Sequence, residues 1–373
     1  MFRVNQLLIT RILFRTLTSI AIVFLTLFIT GQVGDSAGYI GRFKFNFTGG
    51  SAELVRIVFS IISIFKGIVI PFVISIVLAN SYLFLIVNKY INKRNSLYWY
   101  LLLYLPGPLI YACVPSKEYL FFSAAVSYLI IEIEDLFTGN KNQSKSLIKF
   151  LLKIALLIFM FAIKAISSAP YILFASIVFL YKNINFKTIK IKNINFPILI
   201  FYSFLISQLF LVIINLINPQ FLFNITDYLN QNFSTGGSFT RQIDFEKIRN
   251  IYNPLIFLNI QLSALFPTIK QIFLKPYVLV ILFESLVFLY LYCRSWTNLF
   301  SAIRNDNVSK NIFVIVFIFV ACTYFLIYGL TGYKNIGSSQ RFRVRVIPIA
   351  IILPLVAEQV IYKKKLNVNI PRK

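Results

Sequence analysis

The chain is predicted to be an all-α, polytopic helical bundle in a membrane, and three observations predict it. Hydrophobic residues make up 58% of its 373 residues. Mean hydropathy is +0.78. Apolar runs of about 18–22 residues recur from end to end, close to the ~20 a helix needs to cross a bilayer. Residues 1–373 are therefore read as one integral membrane domain of about ten transmembrane helices, with the lipid bilayer as its solvent.

Charge and composition exclude several function classes. There are 37 Lys and Arg against 12 Asp and Glu, giving +25. Such an excess can mark a nucleic-acid binder, but here the basic residues fall in short links between apolar runs, as topology signals do. No nucleic-acid partner is expected. The chain has no histidine, which excludes a His-based zinc site, a Ser-His triad and a haem ligand. Cys113, Cys293 and Cys322 lie in or beside apolar runs without metal-ligand spacing. No cofactor and no metal are expected.

In order, Arg3, Arg11 and Arg15 come before a long apolar run, and a first helix at about 12–31 reads as a retained span rather than a cleaved signal peptide. A polar link to about Arg56 follows. Spans are expected at about 66–87, 97–114 and 119–137. The next two, at about 147–166 and 171–181, are joined by a tight Ser167-Ser168-Ala169-Pro170 link. After a span at about 196–217, residues 218–273 read as an outward-facing long loop. It contains an apolar piece at 254–268, bounded by Pro254 and Pro267, that is expected to be re-entrant or interfacial. Spans at about 276–293, 311–330 and 346–362 complete the chain.

Ten spans place both termini on one side. The excess of Lys and Arg on that side assigns it to the cytoplasm. If 254–268 crossed the membrane, the basic tail Lys363-Lys364-Lys365 would face outward, against that rule.

With this topology the unusual polar residues converge on the outer face. Asp35, in GDSAGY after the first helix, and Glu118, in PSKEYLFF, are candidate catalytic bases, since a carboxylate is the natural base where no histidine exists. Either could equally cap a helix. Arg42 and Lys117 are candidate anion contacts. In the long link, Arg241, Arg249 and Tyr252 are candidates to bind a glycan, by stacking and by bonding hydroxyls. Glu284, within LFESLVF, is a carboxylate inside a span, a functional hypothesis because its burial is expensive.

Arg341, Arg343 and Arg345 alternate with apolar residues in NIGSSQRFRVRVIP. In a strand all three would share one face, about 6–7 Å apart; in a helix Arg341 and Arg345 would share a face and Arg343 would point away. Each carries a donor fork suited to phosphate. Basic clusters commonly contact headgroups, but on the outer side three arginines oppose the topology signal, which favours a bound anion.

Four stretches, GDSAGY, PSKEYLFF, LFPTIKQIFLKPYVLVILFES and NIGSSQRFRVRVIP, resemble in order and topology the O-antigen polymerases and related polyprenyl-linked glycosyltransferases of bacterial surface polysaccharides. The resemblance implies a GT-C-like bundle in the bacterial inner membrane and chemistry on its periplasmic face. It also implies a polyprenyl-diphosphate-linked oligosaccharide as substrate and a possible chain-length regulator as partner. Arg341, Arg343 and Arg345, with Lys117 and Arg42, would hold the diphosphate, and Asp35 or Glu118 would deprotonate the acceptor. No Asp-x-Asp pair follows the first helix, so transfer is expected to be metal-independent. Two other activities fit the same features: a transferase using a polyprenyl-phosphate sugar, and a flippase for lipid-linked glycans. The flippase lacks support from any internal repeat or midplane polar cluster.

Overall fold

The computed structural model describes residues 6–30, 51–60, 69–92, 95–138, 143–183, 195–218, 220, 253–267, 272–273, 278–303, 307–329 and 336–368. These are helical almost throughout, with no strand among them. The helices are α1 (Gln6–Thr30), α2 (Ser51–Phe59), α3 (Val69–Val87), α4 (Ser96–Leu103), α5 (Pro106–Ile110), α6 (Lys117–Thr138) and α7 (Gln143–Asn183). They continue as α8 (Phe196–Ile217), α9 (Pro254–Leu265), α10 (Val278–Ala302), α11 (Asn307–Thr323), α12 (Ile336–Ile347) and α13 (Leu353–Val368).

Among the described residues, seven helical stretches are long and apolar enough to cross a membrane: Gln6–Phe28, Val69–Tyr90, Leu147–Tyr181, Phe196–Ile217, Leu279–Ala302, Ser309–Leu326 and Gln340–Lys364. Large apolar side chains such as Phe28, Phe161, Phe201, Leu216 and Ile217 face outward. Arg15, Asn80, Ser203 and Glu284 are enclosed. In water this arrangement would be costly; in lipid it is the stable one. The chain is an all-α, multi-pass membrane protein.

Four expected spans take other forms. The stretch 97–114 divides into α4 and α5, because Pro106 and Pro108 supply no backbone N–H to continue the ladder. The stretch 119–137 forms α6, uncharged from Tyr119 to Ile131 but acidic at both ends. The stretches 147–166 and 171–181 join in α7, with Ser167, Ser168 and Pro170 inside it. Its break lies at Lys164 (φ −155°, ψ 87°), six residues before Pro170. Each limb, at 1.5 Å per residue, is about 30 Å long.

The residues group into two compact units. One takes in Met1–Phe179, Arg294–Ala302 and Val344–Lys373; the other takes in Leu180–Cys293 and Ile303–Arg343. In the first, α1 packs on α3 and α5, and α6 packs on α13. Its centre is the stretch 344–361, buried at every residue and apolar except at Arg345, Glu358 and Gln359, as expected for a helix enclosed on every side. A π-helical turn at Pro348–Ile352 interrupts that stretch. The Trp296 indole donates to the Ala350 carbonyl inside it, at 2.8 Å.

Arg15 is fully buried in the first unit. Its Nε donates to the Leu103 carbonyl at 2.9 Å, Nη1 to the Asn80 side chain and Nη2 to the Pro108 carbonyl at 3.4 Å. Arg15 thus satisfies the Leu103 carbonyl at the end of α4, where Pro106 breaks the ladder, and the Pro108 carbonyl within α5.

In the second unit α8 packs on α11. The short α9, 12 residues long, measures about 18 Å, less than the ~30 Å hydrocarbon core. A second π-helical turn, Tyr324–Tyr328, ends α11. The Gln261 amide of α9 donates to the Phe325 carbonyl within it, at 2.7 Å. Gly329 makes room for that amide, since a Cβ there would occupy its place.

Candidate functional site

The arginine segment is a helix. α12 covers Ile336–Ile347, so at 100° per residue Arg341 and Arg345 lie within about 40° of one another, while Arg343 points about 160° from either. A lone strand at this position would leave backbone groups unsatisfied in lipid, which favours the helix. The three guanidinium groups therefore enter different surroundings. Arg343 and Arg345 are buried and Arg341 is half-buried.

Arg345 belongs to the first unit and forms a buried ion pair with Glu118 of α6. The segment before α6 sets the carboxylate's position. Ser116 Oγ accepts from the Tyr119 backbone N–H at 3.0 Å and donates to the Tyr111 carbonyl at 2.9 Å, capping the helix that begins at Lys117. The Tyr171 hydroxyl donates to the Arg345 carbonyl at 2.7 Å, in the turn before Pro348. Lys117 is half-buried beside Glu118. PSKEYLFF and the arginine segment, more than 200 residues apart in sequence, thus meet through one carboxylate and one guanidinium. With Arg345 as its partner, Glu118 acts as a counter-ion that holds that arginine in place.

The second unit holds a different polar cluster. Gln340, at the start of the last span, donates from its amide to Glu284 of α10. Glu284 is fully buried, six residues after α10 begins. Its neighbour Ser285 donates to the Leu265 carbonyl at the C-terminus of α9. The same carbonyl accepts from Arg343 Nη2 at 3.5 Å. The last carbonyls of a helix lack helical donors and sit at its negative end, so a guanidinium there is favourable. Arg343 is 1% exposed. Its Nε and Nη1 have no hydrogen-bond partner among the described residues. Gln340 and Arg343, three residues apart, share the face of α12 toward this cluster.

Asp35, Arg42, Arg241, Arg249 and Tyr252 lie outside the described residues. Of the expected site, then, the structure places Glu118 and Lys117 with Arg345 in one unit, and Arg343 in the other. The sequence reading missed Gln340 and Ser285. Their signal was available: a glutamine at the edge of an apolar run, and a serine next to an in-span glutamate. Among the described residues, no three His, Cys, Asp or Glu side chains gather as metal ligands. The chain matches no family model, no curated protein and no solved structure.

Proposed function

We infer that the chain is a membrane glycosyltransferase acting on lipid-linked sugars, with a diphosphate grip centred on Arg343. The best reading is a surface-polysaccharide polymerase that joins polyprenyl-diphosphate-linked oligosaccharide units at the outer face of a bacterial inner membrane. A ten-span, GT-C-like bundle with both termini in the cytoplasm belongs to this reading.

One observation carries it. A guanidinium 99% removed from solvent keeps two donor edges, Nε and Nη1, without partners among the described residues. Leaving charged donors bare in a buried setting is costly, and an arriving anion removes that cost. A phosphoryl oxygen fits a guanidinium fork in shape and charge. As the glycosyl bond to the diphosphate breaks, negative charge grows on the leaving group, and a fixed guanidinium stabilises it. The four stretches that resemble polysaccharide polymerases support the sugar-lipid identity of that anion.

Arg343→Lys keeps the charge but removes the fork. At unchanged expression it is expected to shorten or abolish the polymer, with donor turnover reduced about 10- to 150-fold, as for one charge-assisted contact of roughly 1.5–3 kcal/mol. Gel analysis of surface glycan length in cells carrying the variant checks this. Long chains of altered composition would instead indicate a single-sugar transferase. Lipid-linked units stranded on the cytoplasmic face would indicate a flippase.

A further inference from the structure

We propose that Glu284 is the catalytic base of the transfer, the group that takes the proton from the acceptor hydroxyl. This inference rests on the reading of Arg343 as the diphosphate grip. The two roles are carried by side chains of one unit, gathered at the same end of α9, α10 and α12.

The geometry assigns the role in three steps. First, Glu284 and Arg343 share one small cluster. Arg343 reaches the Leu265 carbonyl, Ser285 reaches the same carbonyl, and Ser285 is the residue after Glu284. A donor held by its diphosphate at Arg343 has its anomeric carbon a few ångströms away, within the range that positions a neighbouring base. Second, the Glu284 carboxylate is oriented. The Gln340 amide donates to Oε2, which fixes the plane of the group. Gln340 lies on the same α12 face as Arg343, so one helix positions both the grip and the base. Third, the other described carboxylate considered for this role, Glu118, forms an ion pair with Arg345. A base so engaged gives up its guanidinium partner on accepting a proton, whereas Glu284 keeps an amide partner that can hydrogen-bond either form.

The acceptor sugar's hydroxyl oxygen attacks the anomeric carbon of the donor and forms a new C–O bond. The bond from that carbon to the diphosphate oxygen breaks, and the electron pair leaves with the polyprenyl diphosphate, held at Arg343. The hydroxyl proton passes to a Glu284 carboxylate oxygen and returns to water when the product departs.

The test uses the full chain, purified and placed in phospholipid vesicles, with a polyprenyl-diphosphate-linked oligosaccharide as donor and acceptor. Glu284→Gln preserves size and the partnership with Gln340 but removes basicity. It is expected to lower kcat by at least about 100-fold, the usual contribution of general-base catalysis, with the donor's KM little changed. The wild-type rate falls at low pH as the base protonates, and the Gln variant's residual rate lacks that fall. Rates are taken per folded molecule, counted by gel filtration of a fluorescent fusion. If Glu284→Gln does not fold, Glu284→Asp is expected to lower kcat through the shorter reach while leaving donor KM in place. A Gln variant, or an Asp variant in its stead, with wild-type kcat and an unchanged pH profile overturns the assignment of the base and leaves the transferase reading standing. Absence of transfer by the wild-type protein overturns both.

Discussion

Replacing Glu118 with Leu is expected to be among the most destabilising single changes in the protein, costing about 3–5 kcal/mol. Arg345 is 4% exposed, and Glu118 is its buried counter-ion. Removing the carboxylate takes away the buried counter-ion of a guanidinium enclosed in the first unit. Lipid outside the helices offers that charge no refuge, because a hydrocarbon solvent disfavours ions more than water does. The expected result is a large fall in the thermal midpoint in detergent, with loss of folded protein from the membrane. Adding Arg345→Met should recover most of that stability, since an apolar pair of similar volume commonly replaces a buried ion pair at little cost. A double-mutant cycle on the two positions measures the coupling. If Glu118→Leu left stability unchanged, the ion pair would have no part in holding the central helix.

The second large effect is expected at Arg15. Its guanidinium donates to Leu103, Pro108 and Asn80, so Arg15→Met removes the donors of at least two buried acceptors together. Each orphaned acceptor costs about 1–3 kcal/mol, giving roughly 2–6 kcal/mol for two. Arg15→Lys should recover only part of this, because a single ammonium cannot reach from the α4 terminus to Asn80 with the same geometry. Thermal unfolding of both variants in detergent checks the order, with Met below Lys and Lys below wild type. Equal midpoints for all three would contradict a structural role for this arginine.

These two arginines also show what the sequence made legible. The fold class followed from apolar run length, because the bilayer imposes one thickness on every span. Charge at the head of a basic N-terminus reads as a topology signal, yet Arg15 lies inside α1, satisfied by carbonyls that only the break between α4 and α5 exposes. The residues that cause the break, Pro106 and Pro108, stood in the sequence; their effect on a helix 90 residues away did not. Pro170 was likewise visible, but the break in α7 lies at Lys164, six residues before it and outside the turn whose carbonyl the ring displaces.

The candidate site was legible as a list and not as an arrangement. Alternating arginines fit a strand or a helix equally well until the membrane decides between them, since a solitary strand cannot satisfy its backbone in lipid. Once α12 is helical, Arg345 and Arg343 part company. One becomes half of an ion pair with Glu118, and the other keeps two donor edges beside Leu265 and Ser285. Glu284 was recognisable as an in-span acid, but Gln340, which orients it, gave only the weak signal of a polar residue at a span boundary.

The most direct measurement is chain elongation by the purified protein in phospholipid vesicles, supplied with one polyprenyl-diphosphate-linked oligosaccharide. The expected result is a ladder of products at multiples of that unit, with polyprenyl diphosphate released in step and a much weaker ladder from Arg343→Lys. Movement of the lipid-linked unit across the bilayer without any joining, or a ladder unaffected by Arg343→Lys, would contradict it.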